Sequence, residues 1–473
     1  MNRVAAVVLG AIGVLAAGAV LVATLTSVPP WAVVAAVGGL TAVGVLWWLR
    51  GPDDVGIALL VLAVFSSPWN AVGVGSLKPG PVLLAASLLV LGVQAVRLRR
   101  PISISAWLWP LAVAVLVVAV ITMFVPPSPS YMAGRFYADE TFFDLWELQH
   151  VAWGSALDAA QWLVAILGLV FAATLAVRLR PALPPVLADA WVAGAGVSAL
   201  VALTDQFEFT AVSAKLLPFV DVGGRQAGLT VQPNHLAMGA LLVLPLAVWR
   251  AVSARGRASR LVATAVVLLL LGGIVVAQSR GALAVSLLVL VVALVLHRRG
   301  RLALAPLAVL VVVAISTVLL AVPGAARKVG EALRLTGQDS AVASNLLRDM
   351  LTEQTLRDIG SSPWHGIGFQ VAVAGHNIWL QLLACGGVIV FLGFLVTLVG
   401  FVAEAWGIRD RYDGLPLLLM ISVGAWLVAG IVENNLTDLF LYVPFAIVAA
   451  VKAADMHRTA VGAAVLVPGG ARS

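Results

Sequence analysis

The stretch that decides the fold is residues 376–403, HNIWLQLLACGGVIVFLGFLVTLVGFVA. It holds no Asp, Glu, Lys or Arg, and it exceeds the roughly 20 apolar residues that a helix needs to cross a bilayer. Further apolar runs fall at 4–26, 31–49, 55–66, 81–97, 106–125, 151–177, 185–204, 233–252, 260–278, 280–297, 302–322, 414–432 and 438–451. The run at 55–66 is short and ends before Pro68, which makes it a half-span candidate. The run at 4–26 is longer than a signal core and has no clear small-x-small cleavage site, so it reads as a retained span. A bilayer core tolerates only backbone whose polar groups are satisfied internally. The predicted fold is therefore all-α, a polytopic transmembrane helix bundle of about 12–14 spans.

Composition agrees. The chain has 473 residues, 62% hydrophobic and 11% charged, where soluble domains run at about 45–50% and about 25%. So few charges cannot cover a water-soluble globule of this size. The hydrophobicity excludes disorder, and a single cysteine excludes an internal disulfide. No Walker motif, Rossmann glycine pattern or Cys/His cluster is present, so no cofactor and no metal is expected.

The net charge of +7 invites a nucleic-acid partner, and the charge distribution argues against one. Basic residues of polytopic proteins mark cytoplasmic connections. With the N-terminus placed in the cytoplasm and the spans alternating, about two thirds of the 29 Lys and Arg fall in inner connections, and most acids fall outside. The predicted topology is a plasma-membrane protein with both termini cytoplasmic. Three outer segments are long, 126–150, 205–232 and 323–375, so the working face is expected outside. The chain divides into N-terminal helices with an outer amphipathic segment (1–204), a core with the large outer loop (205–403), and C-terminal helices with a tail (404–473).

Two outer segments read as amphipathic helices. In 139–150, Glu140, Asp144 and Glu147 share one face, while Phe142, Leu145 and Trp146 share another. In 344–359, Leu346, Leu347, Met350 and Leu351 form an apolar stripe opposite Asp349, Thr352, Glu353 and Arg357, with Ser344 as N-cap.

Three spots place polar residues at the outer membrane edge. The first is Gly224-Arg225-Gln226-Ala227-Gly228, followed by Pro233-Asn234-His235, where Pro233 suits a first helical turn. The second is the tight turn Gln278-Ser279-Arg280-Gly281, with Arg280 opening a helix. The third is Gly375-His376-Asn377, with Gln381 sharing a face with Asn377. Ionisable groups at membrane depth are costly and mark pathways or ligand sites. Each residue also has a plainer reading. Arg225 can be a snorkelling loop residue, Arg280 a helix-end marker, His376 an ordinary cap, and Arg348 a solvated charge. His235 and His365 read as structural or solvated. The joint pattern favours a pocket in which Arg225, Arg280 and Arg348 hold a phosphate or pyrophosphate.

Taken in order, these residues resemble the bacterial O-antigen ligase and O-antigen polymerase superfamily. Arg225…Gly228…Pro233-Asn234 is similar to its arginine-glycine and Pro-Asn start of a central span. Ser279-Arg280-Gly281-Ala282 is similar to its Ser-Arg turn. Arg348, then Trp364-x-Gly366-x-Gly368, then His376-Asn377-x-x-Leu380-Gln381 and Gly386-Gly387 are similar to its closing stretch. The likeness covers about 220–400 and departs at Cys385, where an acid is common.

The resemblance implies a fold of the GT-C glycosyltransferase type with a large helical outer loop. It also implies a metal-independent, inverting transfer of a glycan from undecaprenyl pyrophosphate to an acceptor hydroxyl on the outer face of the inner membrane. The acceptor would be a glycan, a lipid or a protein. His376 would be the base or acceptor-orienting group. Arg225, Arg280 and Arg348 would bind the pyrophosphate, with Asn234, Asn377 and Gln381 as secondary polar contacts. The apolar spans would give the polyprenyl tail a groove among membrane lipids. The rival is a transporter or flippase whose arginines line a path for lipid-linked glycans or other anions.

Overall fold

The computed structural model describes residues 51–73, 78–98, 104–133, 145–216, 224–296, 339–369, 375–433 and 435–465. The predicted spans at 4–26, 31–49 and 302–322 lie outside these residues. Among the described residues the chain is helical, with no strand. The main helices are α1 (Pro52–Ser66), α2 (Pro79–Arg97), α3 (Trp109–Phe124), α4 (Leu145–Leu163), α5 (Leu169–Leu179) and α6 (Leu183–Gln206). They continue with α7 (Pro233–Ser253), α8 (Arg257–Val276), α9 (Arg280–Leu296), α10 (Asp339–Ser361), α11 (Ile378–Gly407), α12 (Leu415–Ala429) and α13 (Val443–Val465). A wide turn at Val164–Gly168 joins α4 to α5 without ending the helix.

Nine segments among the described residues are long and apolar enough to span a membrane. They match nine of the expected runs, and the chain is a multi-pass membrane protein. The run at 55–66 becomes the 15-residue α1, about 22 Å long at 1.5 Å per residue and too short to cross alone. The run at 280–297 becomes the 17-residue α9. Apolar content alone does not decide which helices are central, since α8 is more apolar than α7 and far less buried. In α7, every residue from Leu236 to Val248 is buried, as expected of a helix that is apolar all round and packed all round. By contrast α8 exposes Leu261, Val262 and Leu268, a face suited to lipid. Small residues allow close crossings. A Cβ on Gly194 in α6 would stand 1.7 Å from the Phe65 carbonyl oxygen of α1, and Trp69 Nε1 donates to the Gly194 carbonyl at 2.9 Å.

Two expectations for the outer segments need correction. Of the amphipathic segment 139–150, residues 139–144 lie outside the described residues. Residues 145–150 are no separate surface helix, since they form the first turns of α4. The second expected helix, 344–359, is the longer α10, and its apolar stripe does not decide its packing. Leu346 and Leu347 are exposed, while Leu351, Gln354, Thr355 and Asp358 are buried. The cause is hydrogen bonding. Asp358 Oδ1 accepts from the Tyr131 hydroxyl at 2.6 Å and from Gln354 Nε2 at 2.9 Å. A buried polar face is tolerated when its groups are paired.

Candidate functional site

The three polar spots converge at one end of the bundle, where α7, α9 and α11 start and α8 and α12 finish. Hydrogen bonds fix this convergence. Ile378 N at the start of α11 donates to the Gly430 carbonyl just past α12 at 2.8 Å. Gln226 N donates to the Val276 carbonyl at the end of α8 at 3.1 Å.

The first spot is a folded loop. Gly228 has φ +59°, and a Cβ there would meet the Ser198 carbonyl oxygen at 2.4 Å, so only glycine fits the close approach to α6. Arg225 Nε donates to the Ala277 carbonyl at 2.9 Å, which satisfies a helix-terminal acceptor of α8. Its Nη2 donates to Asn234 Oδ1. Arg225 is thus aimed at the first turn of α7, where Pro233 opens the helix as predicted.

In the second spot, α9 starts at Arg280 as expected. The Arg280 side chain is exposed. The turn before it uses Gln278 at φ +50°, and Gly281 packs so closely on Val432 that a Cβ would come within 2.6 Å. Ser279 Oγ donates to Glu433 Oε1 at 3.4 Å. The Ser-Arg turn therefore abuts residues 432–433, between α12 and α13.

The third spot explains its own glycines. Helix α11 is broken at Gly387 (φ 60°, ψ −163°). The break frees the Ala384 and Cys385 carbonyls, which accept from Ile367 N at 2.9 Å and Gly368 N at 3.2 Å. In return Val388 N and Ile389 N donate to the Pro363 and Trp364 carbonyls at 2.9 Å and 3.2 Å. A Cβ on Gly366 would meet Cys385 C at 2.4 Å, and one on Gly387 would meet Trp364 C at 2.3 Å. The Trp364-x-Gly366-x-Gly368 and Gly386-Gly387 motifs are two halves of one backbone joint. Cys385 is buried in that joint.

Two residues of this spot have defined local geometry. Asn377 is the N-cap of α11, and its Oδ1 accepts from Trp379 N at 2.9 Å and Leu380 N at 3.1 Å. That oxygen satisfies two amides of the first turn of α11. His376 is not the cap. It sits at φ +49°, a strained conformation for a non-glycine residue that is most often held at functional sites. His365 is tied to Ser362 Oγ at 3.2 Å.

Electrostatics join Arg348 to the cluster. Burial, with Arg348 repulsion second, lowers the His376 pKa to about 4, so the imidazole is neutral at pH 7. His376 Nδ1 and Gln381 Oε1 are buried without a hydrogen-bond partner among the described residues. Buried polar atoms left open in this way need a partner from solvent or ligand.

The acids at this edge escaped the sequence reading. Glu433 is 3% exposed, and Asn234 hydrogen-bonds to it. Burial raises its pKa, while Arg348, Arg225 and His235 pull it back down. Its Oε2 and both amide atoms of Asn435 are also buried without a partner among the described residues. Asp438 binds His235 Nδ1 at 3.2 Å and accepts from Asn70 Nδ2 at 3.0 Å. Burial pushes the Asp438 carboxyl up, yet His235 and Asn70 hold it down at about 2. The sequence signal for them is polar residues between two apolar runs, at Val432-Glu433-Asn434-Asn435.

Among the described residues, no group of three or more His, Cys, Asp and Glu is gathered as a metal site requires. No protein-family model matches the chain, and no characterised protein sequence matches it either.

Proposed function

We propose that the chain is a membrane glycosyltransferase that moves a glycan from a polyprenyl pyrophosphate to an acceptor hydroxyl at the outer membrane face. The observation that carries this reading is the meeting of Arg225, Arg348 and a neutral His376 at one membrane edge, with the Ser279-Arg280 turn against the same Glu433. The ordered motifs shared with the O-antigen ligase and polymerase superfamily supply the chemistry.

The bond from the anomeric carbon to the pyrophosphate oxygen breaks, and the electron pair leaves with the pyrophosphate. Arg225, Arg280 and Arg348 stabilise the charge that builds up there, through planar guanidinium forks suited to phosphate oxygens. The acceptor oxygen attacks from the opposite face, which inverts the carbon, and its proton passes to His376. A neutral imidazole is the form that can take it. Glu433, between Arg225 and Arg348 in charge if not in sequence, is a positioning residue that holds the cations before the donor arrives. Asn234 works with it. Gln381 offers a buried acceptor beside His376 in sequence, while Asn377 maintains the helix start. The reading places the protein in the plasma membrane with this face outward and both termini cytoplasmic.

The test gives purified protein in lipid vesicles an undecaprenyl-pyrophosphate-linked glycan and an acceptor glycan. The wild type yields coupled product and free lipid pyrophosphate, and His376→Ala of equal expression yields neither. Transport of the donor with no coupled product from the wild type would favour the flippase reading instead.

A further inference from the structure

At the other end of α7, about 30 Å from the site by the rise of a 21-residue helix, a cavity of about 770 Å³ opens between α6, α7 and α8. Such a volume suits a small-molecule or lipid headgroup site. One wall is apolar, with Val192, Val262 and Val266. Val262 and its neighbour Leu261 are exposed, so the mouth opens on the side that faces acyl chains.

The polar part holds two kinds of charge. Arg250 and Asp189 neutralise one another through a fork at 2.9 and 2.8 Å, and the Arg250 guanidinium lies 5.2 Å from the Trp249 ring centre. That leaves Arg255 and Asp413, which both line the cavity and are exposed. Neither has an ion-pair or hydrogen-bond partner among the described residues. Arg255 stands just before α8, whose N-cap Gly256 offers no side-chain cap, so backbone amides of the first turn join it as donors.

Asp413 sits on a strained turn. Tyr412, Asp413 and Gly414 have φ of 48°, 56° and 86°, and the Tyr412 hydroxyl fixes the turn by donating to the Pro181 carbonyl at 2.5 Å. Asp and Gly adopt this backbone readily and Tyr does not, so the anchored Tyr412 is the residue that holds Asp413 at the cavity.

One unpaired cation, one unpaired anion and an apolar wall open to lipid match a zwitterion. An anionic lipid would set its charge against Asp413, and a choline headgroup has no N–H to give to a carboxylate. We propose that this cavity binds a membrane phospholipid whose headgroup carries both a phosphate and a primary ammonium. The phosphate rests on Arg255 and the α8 N-terminus, and the ammonium on Asp413. This site is independent of the transfer reaction.

The test uses the full chain, purified and stripped of lipid, in native mass spectrometry with phosphatidylethanolamine, phosphatidylglycerol and phosphatidylcholine of matched acyl chains. The expected result is one retained phosphatidylethanolamine per chain, preferred about tenfold over the other two. Arg255→Ala and Asp413→Asn each lower that affinity by about tenfold, the loss of one charge-assisted hydrogen bond. Asn tolerates the left-handed backbone at 413, and both side chains are exposed, so unfolding temperatures should match the wild type. Equal binding of phosphatidylglycerol, or full phosphatidylethanolamine binding by either variant, would overturn the proposal. So would displacement of the lipid by an equal concentration of free phosphoethanolamine, which would make the cavity a soluble-ligand site.

Discussion

The pH dependence of transfer offers the sharpest quantitative check, because it follows from the burial of one side chain. If His376 takes the acceptor proton, the rate follows its neutral fraction. At pH 5.5 a histidine of pKa about 4 is about 97% neutral, while one at the ordinary 6.5 is about 9% neutral. Transfer is therefore expected to be nearly flat from pH 7.5 to 5.5 and to fall only as the pH approaches 4. An unperturbed histidine would already have cost about tenfold at pH 5.5. The sign follows from the cause: burial disfavours the imidazolium, and the Arg348 charge does so further. Arg348→Ala should move the acid limb to higher pH, whatever it does to donor affinity. Glu433→Gln removes the other buried titrating group near Arg348 and should leave the limb in place while weakening donor binding. The assay is the initial rate of lipid pyrophosphate release at saturating donor from pH 4 to 8, with vesicle integrity checked at each point. An acid limb near 6.5 in the wild type, or one that moves with Glu433→Gln and not with Arg348→Ala, would refute the argument.

Two further outcomes are expected. Gly387→Ala meets Trp364 C at 2.3 Å and forces a glycine-only backbone, at about 1–3 kcal/mol for the strain alone. It should lower the unfolding temperature and abolish transfer, whereas Gly407→Ala, with nothing within 4 Å of its Cβ, should do neither. Arg280→Lys should bind donor better than Arg280→Ala but less well than the wild type, because lysine keeps the charge and loses the fork. Equal donor affinity in all three proteins would remove Arg280 from the site.

Much of the bundle was legible because bilayer physics writes itself into sequence. Uncharged runs gave nine spans, and Pro233 and Arg280 opened their helices where local chemistry says they should. The joint at Gly366, Gly368 and Gly387 was visible only as a glycine pattern, since no periodicity shows that a broken helix needs foreign amides. In α10 the exposure of Asp349, Glu353 and Arg357 was legible. The burial of Gln354, Thr355 and Asp358 was not, because the Tyr131 hydroxyl that pairs Asp358 lies 227 positions away. Asn377 could have been read as a cap from its place before an apolar run. Glu433 is different again. Its residue type and place were in view, but its meaning depends on Arg225, Asn234, Ser279 and Arg348 arriving from four other segments.

The central claim is that the arginines receive a lipid pyrophosphate while His376 faces the acceptor. The most direct measurement is a structure of the chain with an undecaprenyl-pyrophosphate-linked glycan bound. The pyrophosphate is expected in contact with the guanidiniums of Arg225, Arg280 and Arg348, with the anomeric carbon open to a hydroxyl held at His376. A headgroup bound at the opposite end of the bundle, or at this end but out of reach of all three arginines, would contradict it.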